Sequence, residues 1–262
     1  MVLTPGEVIR LVAQPLTGLP ACIAGSAVAA EAYGIQLKDT SDIDVFCFTE
    51  QTLMTSIERL FNSGFTLDDR FARVRERWLL YGLRSWHTHS IKLETPSGFE
   101  VNLVYKLVGG NPVNSLAAVL SSFDFGLLAE GYDLLDGTYR DLRPFLFPGM
   151  SLTGPLPLLP DKARQWEGGF ISQYNGLREA GRYAKYVSYG HDMSLVQDQL
   201  IPGYHKAIAY NRDRGGKERE TLADIYENIV MKIDLNMVDE LLEINKQILT
   251  LDSLDAIMDA LE

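Results

Sequence analysis

Hydrophobic residues recur with two different periods along the first 50 residues, and the two periods predict alternating helices and strands. Residues 5–15 place apolar side chains at helical spacing, and residues 27–33 form an alanine-rich helix that stops at a glycine. Residues 21–24 form a short apolar run, and residues 42–48 alternate with a period of two. Runs of these two kinds are typical of strands.

The same periods continue through the middle of the chain. The predicted elements are a helix from Thr49 or Glu50, a hairpin of Ile91–Glu94 and Phe99–Tyr105 around Thr95-Pro96-Ser97-Gly98, a helix over Pro112–Leu120 and a strand over Phe123–Tyr132. The order α-β-α-β-α-β-β-α-β predicts an α/β or α+β domain with a mixed sheet.

The second half of the chain has a different pattern. Residues 144–160 are rich in proline and glycine and mark the best candidate boundary. Residues 164–187 are expected to form one or two helices, and residues 252–261 a helix with a single apolar stripe. We therefore predict a first domain over residues 1–145 and a mainly α-helical C-terminal domain over residues 160–262.

Composition narrows the classes of partner and location. The 262 residues carry a formal net charge of −11, which disfavours duplex DNA and favours small nucleotides, proteins or structured RNA ends. The sequence shows neither a signal peptide nor an apolar run long enough for a transmembrane helix, so we expect a cytoplasmic protein without a membrane partner. Cys22 and Cys47 lie in apolar runs and are expected to be reduced core thiols.

Two acids stand out on the strand at residues 42–48. Asp42 and Asp44 are two apart, so their side chains point to the same face. Adjacent carboxylates repel each other, and a divalent cation would remove that cost. Mg²⁺ suits such a site because it prefers carboxylate oxygens, substrate phosphates and retained waters. The alternative is a solvated strand face.

A second motif precedes the helix at residues 27–33. Gly25 lets a ligand approach the backbone closely, and Ser26 adds a hydroxyl donor beside the first N–H groups of the helix. This arrangement suits a terminal phosphate, although Ser26 could instead be a simple helix cap.

Together, the strand, the Gly-Ser turn, the helix, the polar turn and the Asp-x-Asp strand resemble the signature of the DNA-polymerase-β-like nucleotidyltransferase superfamily. The resemblance covers residues 20–50. It implies that Gly25, Ser26 and Ser41 lie at the nucleotide, and that Asp42 and Asp44 hold two metal ions, Mg²⁺ or Mn²⁺.

The resemblance also requires a third acid on a nearby strand, and two residues compete for this role. Glu100 shares its strand face with Asn102, and Asp124 lies between two phenylalanines. We favour Glu100 because its strand is expected to pair with the Asp42 strand, whereas the Asp124 strand is expected at an edge. Glu100 is then the third metal ligand, and Asp124 remains the alternative catalytic acid.

A weaker resemblance extends to residue 190. Phe123-Asp124-Phe125 and Arg182-Tyr183-Ala184-Lys185-Tyr186 are similar to the "FDF" strand and "RxxKY" helix of a loose group of nucleotidyltransferase-like proteins from viruses and repeat-bearing proteins. Arg182 and Lys185 share a helical face with Arg178 and could bind the triphosphate. A solvated basic face is the alternative.

Two further groups of residues have simpler interpretations. His87 and His89 flank a threonine, but no further ligand follows at a familiar metal-binding spacing, which favours a surface strand pair. A basic run could dock an RNA end or an acidic protein, although a solvated face is favoured; its members are Arg70, Arg73, Arg75, Arg77 and Arg84.

The predicted function is transfer of a nucleoside monophosphate from a nucleoside triphosphate, with ATP favoured, to an acceptor hydroxyl with release of pyrophosphate. The acceptor is open among RNA ends, proteins and small molecules. The nucleotide is expected in a cleft between the two domains. Two other classes remain: an inactive nucleotidyltransferase-like binding module, and a glycosyltransferase that uses Asp-x-Asp for a sugar nucleotide.

Overall fold

Three of the four described helices of the first half begin at side-chain caps that the sequence supplies. At the start of α1 (Pro5–Leu16), the Thr4 hydroxyl accepts a hydrogen bond from the Glu7 N–H, and the Glu7 carboxylate accepts one from the Thr4 N–H. This capping box satisfies two N–H groups that an uncapped helix would leave without partners. Thr49 caps the helix Glu50–Asn62 by accepting a hydrogen bond from the Thr52 N–H, and the predicted start of this helix at Thr49 or Glu50 is confirmed.

The computed structural model describes residues 3–37, 42–67, 89–108, 111–169, 171, 173–212 and 217–232. The predictions for Ser41, the basic run, His87 and the helix over 252–261 lie outside these residues. His89 is the first residue of a strand.

The sheet-forming half of the chain contains four helices and nine strands among the described residues. After α1 they are β1 (Ala21–Ala24), α2 (Ser26–Ala32), β2 (Asp42–Cys47), α3 (Glu50–Asn62), β3 (Thr66–Leu67), β4 (His89–Glu94), β5 (Glu100–Tyr105), β6 (Leu107–Val108), β7 (Asn111–Pro112), α4 (Leu116–Ser121), β8 (Glu130–Asp133) and β9 (Tyr139–Asp141).

Seven of these strands form one mixed sheet in the order β3-β4-β5-β2-β1-β8-β9. The pair β2–β5 is parallel and the other neighbours are antiparallel. The predicted pairing of the Glu100 strand beside the Asp42 strand is confirmed. The predicted fold class, a mixed sheet followed by a mainly helical region, is also confirmed.

One face of the sheet forms the main hydrophobic core. Ile43, Val45, Val101 and Leu103 are fully buried there, against α1 and α3. This burial confirms the predicted alternation, in which the residues between the acids face the core. Each such side chain contributes about 1.5–3 kcal/mol when it leaves water.

On β2 and β5, the opposite face is apolar only over the second half of each strand. Phe46 and Val104 pack there with Leu116 and Val119 of α4. Over the first half of these two strands, the same face carries polar side chains instead. The site described below occupies this polar half.

The two cysteines are buried free thiols, as predicted. Burial raises the pKa of Cys47 to about 12 and that of Cys22 well above its ordinary value, so both stay protonated at neutral pH. No helix within the described residues is long and apolar enough to span a membrane.

By its contacts the chain divides into two units. The first contains the described residues up to Phe123 together with Leu128–Leu142. The second contains Asp124–Leu127 and the described residues from Arg143 onward. Its helices are α5 (Arg143–Leu146), α6 (Pro160–Gly168), α7 (Gln173–Ser188), α8 (Ser194–Arg212), α9 (Lys217–Ile225) and a π-helical turn (Tyr226–Met231).

Trp166 and Tyr204 lie at the centre of the second unit. Their rings are 5.1 Å apart, and the Tyr204 hydroxyl donates to the carbonyl of Gly176. The predicted helical character of residues 164–187 is confirmed, because α6 and α7 cover most of this range.

The strand predicted over Phe123–Tyr132 is wrong in its first half. Only Phe125 forms an isolated bridge, with Leu158, and Gly126–Leu128 is a 3₁₀ turn. The alternation of this segment imitates a strand, but Phe125 and Leu127 are both buried within the helical unit. The true strand, β8, begins at Glu130.

Two related expectations also need correction. The later strand is not at an edge, because β9 covers β8 on the side away from β1. The helix predicted from Pro112 begins only at Leu116, because Pro112 belongs to the small β6–β7 ribbon and Ser115 supplies the cap.

Gly131 generates a prediction about how β1, β8 and α4 pack. A Cβ atom at this position would lie 2.8 Å from the Ile23 carbonyl oxygen and 2.9 Å from Leu116 Cδ1. Gly131→Ala should therefore lower the free energy of unfolding by about 1–3 kcal/mol, the usual cost of overpacking. Urea denaturation measures this change.

Gly154→Ala is the matched control, because its nearest new neighbour would be 3.5 Å away, an ordinary contact distance. It should change stability by less than about 0.5 kcal/mol. Equal effects of the two substitutions would contradict the packing described for Gly131.

Candidate active site

The two aspartates of the Asp-x-Asp motif lie on the polar half of the sheet. Asp42 and Asp44 are half-buried, and Ile43 between them is fully buried on the other face. The neighbouring strands place further polar residues beside each aspartate, so the site is arranged as two rows that run across the sheet.

The first row is acidic. Asp42 is the register partner of Glu100 on β5, and Glu100 is the partner of Glu94 on β4. Three carboxylates therefore lie on adjacent strands, about 4.8 Å apart in the pairing direction. Like charges directly opposite each other destabilise a sheet, so this row needs cations nearby.

The second row contains Lys92, Asn102, Asp44 and Ala24 in that order across four strands. Asn102 Nδ2 donates a hydrogen bond to Asp44 Oδ1 at 2.9 Å, which fixes the orientation of that carboxylate. The Lys92 ammonium forms an ion pair with Glu100 of the first row. The only cationic side chain among the described residues of the two rows is therefore Lys92.

Gly25 brings the backbone against the second aspartate. It follows Ala24 with φ of 98°, in the region that favours glycine, and a Cβ atom built on it would lie 3.0 Å from Asp44 Oδ2. A larger residue would be strained in its backbone and would crowd the carboxylate. Ser26 and Asp42 are 16 positions apart in the sequence. The fold nevertheless makes the Gly-Ser turn a direct neighbour of the paired acids.

Ser26 is the first residue of α2 rather than its cap, which is Gly25. This excludes the simple capping role left open by the sequence. The Ser26 side chain is 4% exposed, and its hydroxyl oxygen makes no hydrogen bond within the described part of the chain. A buried hydroxyl without a partner costs about 1–3 kcal/mol, so it is suited to a ligand that completes it.

These residues fit a hard divalent cation. The donors are carboxylate oxygens on one face, which Mg²⁺ and Mn²⁺ both accept. The lack of a side chain on Gly25 keeps Asp44 Oδ2 from being crowded, and the Ser26 hydroxyl that follows it makes no hydrogen bond within the described residues. Among the described residues, however, no three acidic, histidine or cysteine side chains converge as a preformed metal site. The two aspartates are the core of the candidate site, and Glu100 is turned toward Lys92.

Asp124 lies in a different environment, inside the helical unit. Its side chain is 5% exposed and forms ion pairs with Arg182 and with Lys162, whose Nζ is 2.9 Å from Asp124 Oδ1. Arg178 is 3.9 Å from the same oxygen. Burial alone would raise the pKa of Asp124, but the three cations outweigh burial and hold the pKa below its ordinary value.

Glu179 completes this cluster. It is 1% exposed and accepts a hydrogen bond from Arg178, whereas its second oxygen has no partner within the described residues. Burial, and after it the charge of Asp124, raises the pKa of Glu179. The cluster holds α6 and α7 around the Asp124 carboxylate.

The two basic residues predicted to bind the triphosphate therefore have contacts of their own. Arg182 pairs with Asp124 and is still 45% exposed along its side chain. Lys185 lies over the ring of Tyr189, with its ammonium 5.6 Å from the ring centroid. The predicted common helical face of Arg178 and Arg182 is confirmed, because both reach Asp124.

Sequence reasoning missed Lys92 and Glu94 at the site and Lys162 at Asp124. A signal existed for the first two. Ile91 and Leu93 are apolar and alternate with Lys92 and Glu94, so the hairpin partner of β5 had to present these two residues on the face of Glu100. No local signal existed for Lys162, which is brought to Asp124 by tertiary structure.

The overall chain path is similar to several solved structures. The Thermotoga maritima CCA-adding enzyme complexed with tRNA is 13% identical, and the match covers 87% of this chain and 49% of that one with a TM-score of 0.44. A tRNA-processing enzyme complex is 16% identical over 83% and 55% of the two chains, with a TM-score of 0.39. The apo form I of a CCA-adding enzyme is 11% identical over 89% and 52%, with a TM-score of 0.38.

This chain spans roughly half the length of these three structures. No protein-family model and no curated protein sequence matches it.

The ion cluster predicts a pH-dependent contribution to stability. Asp124→Asn should lower the free energy of unfolding at pH 7 by roughly 2–4 kcal/mol, because it removes the buried counter-ion of three partly exposed cations; the exposure of these cations keeps the loss below that of a fully buried pair. The pKa of Asp124 is lower in the folded protein than in the unfolded chain. The contribution of its ion pairs to stability is therefore fully present above the unfolded pKa of about 3.9, and it is lost as the pH falls through the folded pKa.

Urea denaturation between pH 2 and pH 7 measures the difference between the two proteins. Asp161→Asn is the control, because Asp161 pairs with Arg164 on the surface and is 82% exposed; it should cost less than about 1 kcal/mol. A difference between wild type and Asp124→Asn that stays constant down to pH 2 would contradict the account.

Proposed function

We propose that this protein is a metal-dependent nucleotidyltransferase, with Asp42 and Asp44 holding the divalent cation. The observation that carries the proposal is the contact between the two motifs. Gly25 lies against the Asp44 carboxylate, and the buried Ser26 hydroxyl next to it has no partner within the described residues. Paired acids that can hold a divalent cation, next to a hydroxyl that can donate to a phosphate oxygen, suit transfer from a nucleoside triphosphate.

The residues of the second row have distinct roles. Asn102 holds Asp44 Oδ1, which leaves Oδ2, the oxygen nearest Gly25, directed toward the turn. A cation bound by the two aspartates supplies charge stabilisation for the phosphoryl group that is transferred. Ser26 donates its hydroxyl hydrogen to a phosphate oxygen, and the glycine allows that oxygen to approach the backbone. Helix α2 has only seven residues, so the Ser26 hydroxyl, rather than the helix dipole, makes the main contribution to phosphate binding at the turn.

The proposed reaction is an in-line displacement at the α-phosphorus. The bond from the acceptor oxygen to phosphorus forms while the bond to pyrophosphate breaks, and the proton of the acceptor hydroxyl is released to solvent. ATP is the favoured donor.

Glu100 is the proposed third acid, on the acceptor side. It is in register with Asp42 on the adjacent parallel strand. Asp124 is less suited to this role because three cations already surround it inside the helical unit. We propose that Asp124 organises that unit instead.

Arg182 and Lys185 are proposed as additional phosphate-binding residues. The exposed portion of Arg182 can accept a second anion while its other edge remains on Asp124. Lys185 is three residues further along the same helix. Its ammonium lies over the Tyr189 ring, 5.6 Å from the centroid.

A nucleotide-binding module without turnover is the second candidate. It is favoured by one specific observation: no three metal-ligating side chains converge within the described residues, and Glu100 is paired with Lys92. Metal-dependent binding of ATP without release of pyrophosphate would identify this second function.

The first prediction from the proposal concerns the paired acids. Asp42→Asn and Asp44→Asn should each reduce transfer from an α-labelled triphosphate by at least about 10²-fold, the scale of losing a principal electrostatic contact in a transition state. Stability should not fall, because each substitution relieves repulsion between carboxylates.

Asp161→Asn serves as the control again, since it makes the same chemical change on an exposed helix. Full activity in both motif variants would rule out the assignment. A large drop in melting temperature would instead make the two aspartates structural.

The second prediction concerns the hydroxyl at the turn. Ser26→Ala should weaken triphosphate binding by about 0.5–1.5 kcal/mol and leave nucleoside binding unchanged, because only the phosphates contact the serine. It should leave stability unchanged or slightly increased, because the hydroxyl is buried without a partner in the free protein. Isothermal titration with ATP and adenosine, together with thermal denaturation, measures these effects.

Ser56→Ala is the matched control, because Ser56 is also buried but lies on α3 and contacts Cys47. It should not affect triphosphate binding. Equal losses for ATP and adenosine in Ser26→Ala would show that the turn, rather than a phosphate contact, has been damaged.

A further inference from the structure

Lys92 is the residue at the site that the proposed reaction has not used. It lies on β4, opposite Asn102, and its ammonium reaches diagonally to Glu100. The side chains of Lys92 and Glu100 are 26% and 36% exposed, so the ion pair is partly shielded from water. Partial shielding strengthens an ion pair relative to one at the open surface.

The ion pair changes where the Glu100 carboxylate lies. Glu100 and Asp42 are register partners, and their side chains share one face of the sheet. On that geometry alone, the carboxylates of Asp42, Asp44 and Glu100 would be expected to converge. They do not form such a group, and the contact that Glu100 makes instead is the one with Lys92.

The contact between Lys92 and Glu100 reduces the net negative charge of the two rows. Asp42, Asp44, Glu94 and Glu100 are four carboxylates, and Lys92 is the one ammonium among these five side chains. With all five ionised, their formal charge sums to −3. Without Lys92 the formal charge would be −4, and the carboxylates of Glu94 and Glu100 would attract a second divalent cation beside the one at the aspartates.

We propose that Lys92 is a positioning residue that withholds Glu100 from the metal site of the free protein. The ammonium occupies the place that a second cation would take between the acidic row and Asn102. The free protein therefore binds one divalent cation, at Asp42 and Asp44. Glu100 becomes available only when the ion pair opens. This inference rests on the proposed function, because it takes the two aspartates to be a metal site.

The test is a titration of the 262-residue chain with Mn²⁺ in the absence of nucleotide, monitored by calorimetry and by the electron paramagnetic resonance signal of the free ion. Wild type should bind one Mn²⁺ in a manner that requires Asp42. Lys92→Met keeps the length of the side chain and removes its charge. This variant should bind a second Mn²⁺ or bind the first at least about tenfold more tightly, the size of effect that a charge at 4–6 Å exerts.

Two further variants separate charge from structure. Lys92→Arg keeps the ion pair and should titrate like wild type. Lys92→Met/Glu100→Gln should return to a single ion of wild-type affinity, because the released carboxylate is gone. The double variant loses one positive and one negative charge, so it keeps the net charge of wild type, and its Mn²⁺ affinity should lie within about twofold of wild type, a change of less than about 0.5 kcal/mol.

The outcomes distinguish this inference from the proposed function. Absence of any Asp42-dependent Mn²⁺ binding would overturn the proposed function and this inference with it. Asp42-dependent binding that Lys92→Met leaves unchanged would overturn the inference alone. A marked loss of Mn²⁺ affinity in Lys92→Met/Glu100→Gln relative to wild type would also overturn it, because Glu100 would then already be a ligand in the free protein.

Discussion

The parallel pairing of β2 with β5 is the constraint on which the candidate site depends. It places Asp42 beside Glu100 and Asp44 beside Asn102, and at the same time it places Ile43 and Val45 beside Val101 and Leu103 in the core. A slip by one residue would exchange the two sets, burying the acids and exposing the core. The hydrophobic core on one face therefore holds the carboxylates on the other face in register.

The division of the opposite face into an apolar and a polar half follows from the same pairing. Phe46 and Val104 continue the two strands beneath α4, so this end of the sheet is rigidly packed. Toward the start of the strands the face is polar, and its repulsion is reduced from within by Asn102 and Lys92. In the helical unit the charge of a buried carboxylate is compensated in another way. Asp124 is neutralised by three cationic side chains of the same unit.

Much of this arrangement is present in the local sequence pattern. The period of two over residues 42–48 was sufficient to predict which face carries Asp42 and Asp44, and the turn signal at residues 95–98 predicted the hairpin that brings Glu100 to the sheet. Local pattern could not predict what each carboxylate contacts. The ion pair of Glu100 depends on the antiparallel register of β4, which is a property of two strands together.

The environment of Asp124 could not be predicted from the local sequence pattern. Alternating phenylalanines predicted a strand, because burial on one side of a strand and burial within a helical unit leave the same short pattern. The residue that decides its environment, Arg182, is 58 positions away in the chain. Tertiary contacts at that separation override local propensity.

The most direct measurement of the central claim follows the label of a triphosphate. The protein would be incubated with Mg²⁺ or Mn²⁺, a cell extract as the source of acceptor, and each nucleoside triphosphate labelled in parallel at the α- or the γ-phosphate. If the protein is a nucleotidyltransferase, α-label appears on an acceptor while γ-label is released in pyrophosphate. Transfer of γ-label to the acceptor, or no transfer of α-label from any of the triphosphates, would contradict it.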